Sequence, residues 1–257
     1  AVWLARLNGA AGFEKLCIVK TVLPAIAKDQ SFVSRFLHEG RVLTQLQHSN
    51  IAQVLDMGDE GGTLYLALEY VAGIDLARLH RHVSDRNQSL PAPVAVYLVQ
   101  QAAEGLGAAH RKLALDGTPL NVVHRDVSPQ NVMVSYEGEV KIIDFGISKS
   151  EARSQATNAP TVMGKLGYMA PEQARGEPLT PRSDVFALGV VLYELITGTH
   201  PFGRQVTADE RESEQMRVIP PYALPFLDET GYATAYRYSL YPNAAAVRVN
   251  DGLLRVF

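Results

Sequence analysis

The sequence predicts an α+β fold in which a β-rich first part is followed by a mainly helical second part. Two observations carry this. Short runs rich in apolar and β-branched residues dominate the first seventy positions, among them Val2-Trp3-Leu4-Ala5, Leu16-Cys17-Ile18-Val19 and Leu64 to Tyr70. Beyond them, the stretches 91–111 and 180–197 show the apolar period of helices and are long enough to be helices rather than strands. With 257 residues and 47% hydrophobic content, the chain can bury one large core or two modest ones.

In order along the chain, a helix is expected from about Ser31 to Gln47, where Phe36, Glu39 and Leu43 recur three and four apart on one stripe. In the strand that ends at Lys20, the lysine shares a face with Ile18 and Leu16. A lysine and a glutamate that both point inward are best satisfied by each other, because an unpaired buried charge is costly. The same pattern also fits two solvated residues on amphipathic elements. Between the two long helices lie a hairpin and a loop rich in Ser, Thr and Ala. Residues 204–257 change character: five of the eleven tyrosines fall between Tyr222 and Tyr241, and Val247 to Phe257 reads as a hairpin around Asn250-Asp251-Gly252. No repeat or heptad is present.

A net charge of −3 and a pI near 6.2 give no sign of a nucleic-acid or polybasic membrane surface. Cys17 is the single cysteine and cannot form an internal disulfide, which suits a reducing compartment. The longest apolar stretch, Val185 to Ile196, contains Glu194 and is too short to span a bilayer. The expected location is cytoplasmic, or the cytoplasmic part of a membrane-anchored parent.

The segment Asn131 to Asp144 carries the clearest chemistry. Asn131-Val132-Met133-Val134 and Val140-Lys141-Ile142-Ile143 flank Ser135-Tyr136-Glu137-Gly138-Glu139, which has the composition of a turn. The midpoint falls in that turn, so Asn131 and Asp144 are expected opposite each other, about 5 Å apart and able to share one hard cation. Asp126 lies within reach of the same spot. Two oxygen ligands beside a spare carboxylate suit a magnesium phosphate complex with a base next to it; a solvated turn that carries Asp and Asn is the other reading of the hairpin alone.

His124-Arg125-Asp126-Val127-Ser128-Pro129-Gln130-Asn131 resembles the catalytic loop of the Hanks-type protein kinases, and Asp144-Phe145-Gly146 resembles their metal-binding triplet. Gly167-Tyr168-Met169-Ala170-Pro171-Glu172 is similar to the end of the kinase activation loop, and Ser183-Asp184-Val185-Phe186-Ala187-Leu188-Gly189 to the start of the long C-lobe helix. The resemblance, to the bacterial serine/threonine branch, implies a two-lobed kinase-like fold: a β-rich N-lobe over residues 1–70, a mainly helical and incomplete C-lobe over 71–203, and an unrecognised tail over 204–257. It implies ATP and Mg2+ as cofactors and a protein substrate with a Ser or Thr acceptor.

The roles it implies are specific. Asp126 is the base, Lys20 holds the α- and β-phosphates, and Glu39 pairs with Lys20. Asn131 and Asp144 hold the metal. Val2, Ile18, Leu68, Glu69, Val71 and Met133 surround the adenine, with Leu68 guarding the pocket behind it. Asp184 bonds the catalytic-loop backbone. Glu172 pairs with a late arginine that the tail does not reveal, so it is expected unpaired. His124 and Phe145 belong to the core. Arg125 receives a phosphorylated activation loop, with Thr157 and Thr161 as the expected sites. Three positions depart from the family pattern. The glycine-rich loop over the phosphates has no counterpart here, which predicts weak nucleotide binding by residues 1–257 alone. Ser128 stands where most such kinases have Lys, and Lys165 where they have Thr. The exchange predicts that Lys165 reaches the transferring phosphate with Ser128 as its partner.

Two other functions fit parts of the sequence. A pseudokinase scaffold would usually lack one of Lys20, Glu39, Asp126, Asn131 and Asp144, all of which are present. A small-molecule phosphotransferase of the aminoglycoside-kinase type would not carry the Ala-Pro-Glu segment or the Asp-Phe-Gly triplet.

Overall fold

Four antiparallel strands form the first sheet in a computed structural model that describes residues 2–8, 14–22, 29–60, 62–145 and 167–202, with the backbone of 247–250 and 253–256. The strands are β1 (Val2–Asn8), β2 (Glu14–Thr21), β3 (Val54–Glu60) and β4 (Thr63–Glu69), in the order β1-β2-β4-β3. Strand β4 lies inside the sheet and buries Leu64, Leu66, Ala67 and Leu68. The register sets Ile18 between Leu4 and Leu68, and Lys20 between Val2 and Leu66. The face of β2 that carries Lys20 is more open than its apolar content suggests, since Leu16 is 44% exposed.

Helix α1 (Gln30–Thr44) packs beside β3 and buries Phe36 and Leu43. It ends short of Gln47. The amides of Gln45 and Leu46 bond three residues back, to Val42 and Leu43, and this tightening closes the last turn.

The second part is built on helices. Helix α2 (Leu76–Ser84) has no counterpart among the elements expected from sequence. Asp75 caps it by accepting from the Arg78 amide at 2.8 Å, and Leu76 and Leu79 are buried; an Asp followed by Leu at i+1 and i+4 was the available signal. Helix α3 (Ala92–His110) lies within the predicted 91–111 and buries Val94, Leu98, Ala102 and Leu106 on one stripe. A Cβ on Gly105 would lie 2.6 Å from the Asn50 carbonyl, so glycine is what lets α3 approach that backbone. Asn50 in turn donates to the Gln101 side chain at 3.1 Å and to the Val140 carbonyl at 2.9 Å, and its own carbonyl accepts from the Ile142 amide. The helix α3 thereby locates the hairpin.

That hairpin belongs to a three-stranded sheet, β5 (Gly73–Asp75), β6 (Val132–Ser135) and β7 (Val140–Ile142), in that order. Its register pairs Val132 with Ile142, and Asn131 accepts from the Ile143 amide. Asn131 therefore faces Ile143, and the expected pairing with Asp144 is wrong by one residue. The cause is the turn. Ser135 bonds the Glu139 carbonyl across a three-residue loop that ends at Gly138, with φ 89°.

Helix α4 (Pro171–Ala174) is one turn long, and α5 (Pro181–Thr197) packs on α3. The ends of α5 are written in the sequence: Thr180 and Ser183 form a capping box, Pro181 opens the first turn, and Gly198 closes the helix at φ 75°. Near the C-terminus β8 (Val247–Asn250) and β9 (Leu253–Val256) pair with Asn250 opposite Leu253, the hairpin read from the sequence.

Candidate active site

The loop that precedes β6 is held by its backbone. Asp184, at the start of α5, accepts from the His124 amide at 2.7 Å through Oδ2 and from the Arg125 amide at 2.9 Å through Oδ1. The buried His110 ring bonds the same Oδ2 at 2.8 Å. Burying this carboxylate is tolerable because several donors meet it. The Asp126 amide donates to His124 Nδ1 at 3.2 Å, while His124 Nε2 meets the Ile143 carbonyl at 2.9 Å. His124 is wholly buried against Phe145, with ring centroids 4.6 Å apart, so it belongs to the core as expected. It also joins the loop before β6 to the hairpin, which its spacing did not reveal.

Asn131 fixes Asp126. Its Nδ2 donates to the Asp126 carbonyl at 2.7 Å and to Oδ2 at 2.6 Å, which commits the amide nitrogen and turns the amide oxygen away from that carboxylate. Asp144 lies one residue beyond the pairing position. Its left-handed backbone, φ 63°, takes it out of the pleat, and its carboxylate forms an ion pair with Lys20.

The expected Lys20–Glu39 pair is therefore not found. Lys20 bonds Asp144, and Glu39 lies 3.7 Å from Arg125. Two cations and two carboxylates can be paired either way with the same net charge, and the apolar stripe that places Glu39 does not choose between them. Burial pushes the Glu39 carboxyl above its usual value, opposed by the Arg125, Arg35 and His38 charges. Arg125 itself adopts φ 67°, an unusual conformation for a side chain of this size.

The other anticipated residues are dispersed along the two sheets. Leu68 and Val71 are buried, Ile18 and Met133 are half-buried, and Val2 is 64% exposed on the edge strand. Glu69 forms an ion pair with Lys141 of β7 at 3.1 Å and accepts from the Gln53 amide. Ser128 is buried, and its hydroxyl finds no hydrogen-bond partner among the described residues. Thr157, Thr161 and Lys165 lie outside the described residues. Glu172 accepts from the Ser183 hydroxyl, so its carboxylate has a hydrogen-bond partner, while the side chains of the tail, where its late arginine is expected, lie outside the described residues. Gln173, the next residue, donates to the Arg125 carbonyl at 2.8 Å, a contact with no sequence signal beyond its place beside a motif.

The protein kinase domain family model matches residues 11–237, which extends past residue 203, where the motifs end. A tyrosine-protein kinase, MasK of Myxococcus xanthus, is 44% identical over 79% of the chain and 32% of its own length. The serine/threonine-protein kinase PrkC of Bacillus subtilis is 35% identical over 68% of the chain and 25% of its own length. The chain thus spans a third or less of these curated relatives. Among solved structures, the Mycobacterium tuberculosis PknI kinase domain superposes with a TM-score of 0.59 at 29% identity, covering 83% of this chain and 77% of that one. The chain belongs to the protein kinase domain family.

Proposed function

We propose that the parent protein transfers the γ-phosphate of ATP to Ser and Thr hydroxyls of protein substrates in signalling. The observation that carries this reading is the Asp126 carboxylate, held by Asn131 at 2.6 Å in a loop pinned by Asp184. Bound ATP and magnesium would supply the transferable phosphoryl group and the cation that neutralises it. The residues present suit them. Lys20 and Asp144 are partly exposed and paired with each other, so each can exchange its partner for a phosphate or a cation. The Asn131 amide oxygen and the Asp144 carboxylate are hard donors, and two of them leave most of a six-coordinate shell to phosphate and water, as magnesium prefers. In this scheme Asp126 accepts the proton of the acceptor hydroxyl, and Glu39 supports Lys20 once it leaves Arg125.

The same proposal gives Val2, Ile18, Leu68, Glu69, Val71 and Met133 to the adenine, and the two lobes to residues 1–70 and 71–203. Thr157 and Thr161 are its phosphorylation sites, with Arg125 as receiver. Lys165 stabilises the transferring phosphate, and the buried, unpartnered Ser128 hydroxyl supports this, because a buried polar atom ordinarily has a partner.

Acceptor choice has two candidates, since MasK is named a tyrosine kinase and PrkC a serine/threonine kinase. Pro129 and Gln130 resemble the serine/threonine branch. Phosphoamino-acid analysis of casein treated with labelled ATP and the full-length protein tests both parts: phosphoserine and phosphothreonine are expected, phosphotyrosine alone would move the acceptor, and no label would end the kinase reading.

A further inference from the structure

Gln173 has no part in the proposed chemistry, yet it is 9% exposed and its side chain ends on the catalytic loop. Its Nε2 donates to the Arg125 carbonyl at 2.8 Å, and the Asp126 amide donates to His124 Nδ1 at 3.2 Å. That carbonyl and that amide are the two ends of one planar peptide unit. Holding both prevents the plane from turning about the chain, and the Cα of Asp126 is attached to it. Turning that plane would change ψ of Arg125 and φ of Asp126, so the restraint acts on the backbone that aims the Asp126 side chain. Asp184 holds the amides of His124 and Arg125 from α5 but leaves the Arg125 carbonyl to Gln173. Gln173 is itself anchored: its amide bonds the Ala170 carbonyl, and the neighbouring Glu172 accepts from Ser183 in the cap of α5.

We propose that Gln173 is a positioning residue for Asp126, its side-chain amide locking the peptide that carries the base. This rests on the reading of Asp126 as the base. It also means that α4 and the base move together.

Two variants of the full-length protein separate this from plain packing. Gln173→Met keeps length and volume without a donor. Gln173→Glu keeps the shape and donates only when its carboxyl is protonated. With casein as acceptor, Gln173→Met should lower kcat about tenfold or more while leaving the KM for ATP unchanged, since small misplacements of a catalytic group cost up to roughly a hundredfold. Relative to wild type, Gln173→Glu should be as poor at pH 8 and recover as the pH falls to 5.5, whereas the Gln173→Met ratio stays flat. Backbone amide exchange should quicken over residues 124–127 in Gln173→Met and stay unchanged in α5. Wild-type kcat in Gln173→Met, or a Gln173→Glu ratio that ignores pH, would overturn the proposal. If the wild-type protein transfers no phosphate, the kinase reading fails, and exchange alone decides: unchanged rates over 124–127 would overturn the positioning role.

Discussion

His124 has to stay neutral. Its Nε2 needs the proton to donate to the Ile143 carbonyl, so Nδ1 must keep its lone pair for the Asp126 amide. Burial pushes this imidazole below its ordinary value of 6.5, and the Asp184, Asp126 and Asp144 carboxylates oppose that without reversing it. A lowered folded value means that the unfolded chain takes up the proton first as pH falls. The stability from neutral His124 is then present above about pH 6.5 and is lost below it. Urea unfolding should weaken between pH 7.5 and 5.5, with a slope for this group approaching about 1.4 kcal/mol per pH unit. His124→Asn should flatten that part of the slope; an unchanged slope would place the titration elsewhere. Arg125 makes the opposite kind of contact. Its half-exposed pair with Glu39, at 3.7 Å, is worth about 1 kcal/mol at most. Arg125→Ala should therefore leave the melting temperature almost unchanged, yet abolish the difference in turnover between phosphorylated and phosphatase-treated protein. If that difference persists, phosphates on Thr157 and Thr161 do not act through Arg125.

At the scale of elements, legibility followed length and periodicity. The helices α3 and α5 are readable because each carries several turns of apolar spacing after a proline, and α5 is also bracketed by Thr180 and Gly198. The nine-residue α2 was missed because two buried leucines and a cap make too short a pattern to stand out. The hairpin was found but its register slipped by one, because a midpoint count cannot see that Gly138 adds a left-handed residue to the turn. Asp144 leaves the pleat with a left-handed backbone and pairs with Lys20. Gly105 shows how tightly the hairpin is placed. Alanine there gains roughly 1 kcal/mol of helix propensity, but its Cβ meets backbone at 2.6 Å, and overpacking of that kind costs about 1–3 kcal/mol. The clash should win, and chemical denaturation of Gly105→Ala should show net destabilisation. The proposed exchange couples Ser128, in the loop before β6, to Lys165. Lys165→Thr should lower turnover about a hundredfold, the usual worth of a charge at a developing anion. Adding Ser128→Lys should restore much of it; strictly additive losses would show that the two positions are uncoupled.

Across the whole molecule, the motifs pointed to the family, while the ion pairs among the charged residues needed coordinates. The four charges Lys20, Asp144, Glu39 and Arg125 balance in either arrangement, so residue type alone does not choose the observed partners. In the proposed mechanism Asp126 and Asp144 divide the work between proton acceptance and charge neutralisation. The most direct measurement compares phosphoryl transfer and ATP affinity in full-length protein carrying Asp126→Asn or Asp144→Ala. Loss of a positioned base should cost Asp126→Asn about 10²- to 10⁴-fold in turnover with ATP affinity nearly unchanged. Asp144→Ala should lose transfer far more completely than nucleotide binding. Wild-type turnover in either variant would contradict a catalytic role for this pair of carboxylates.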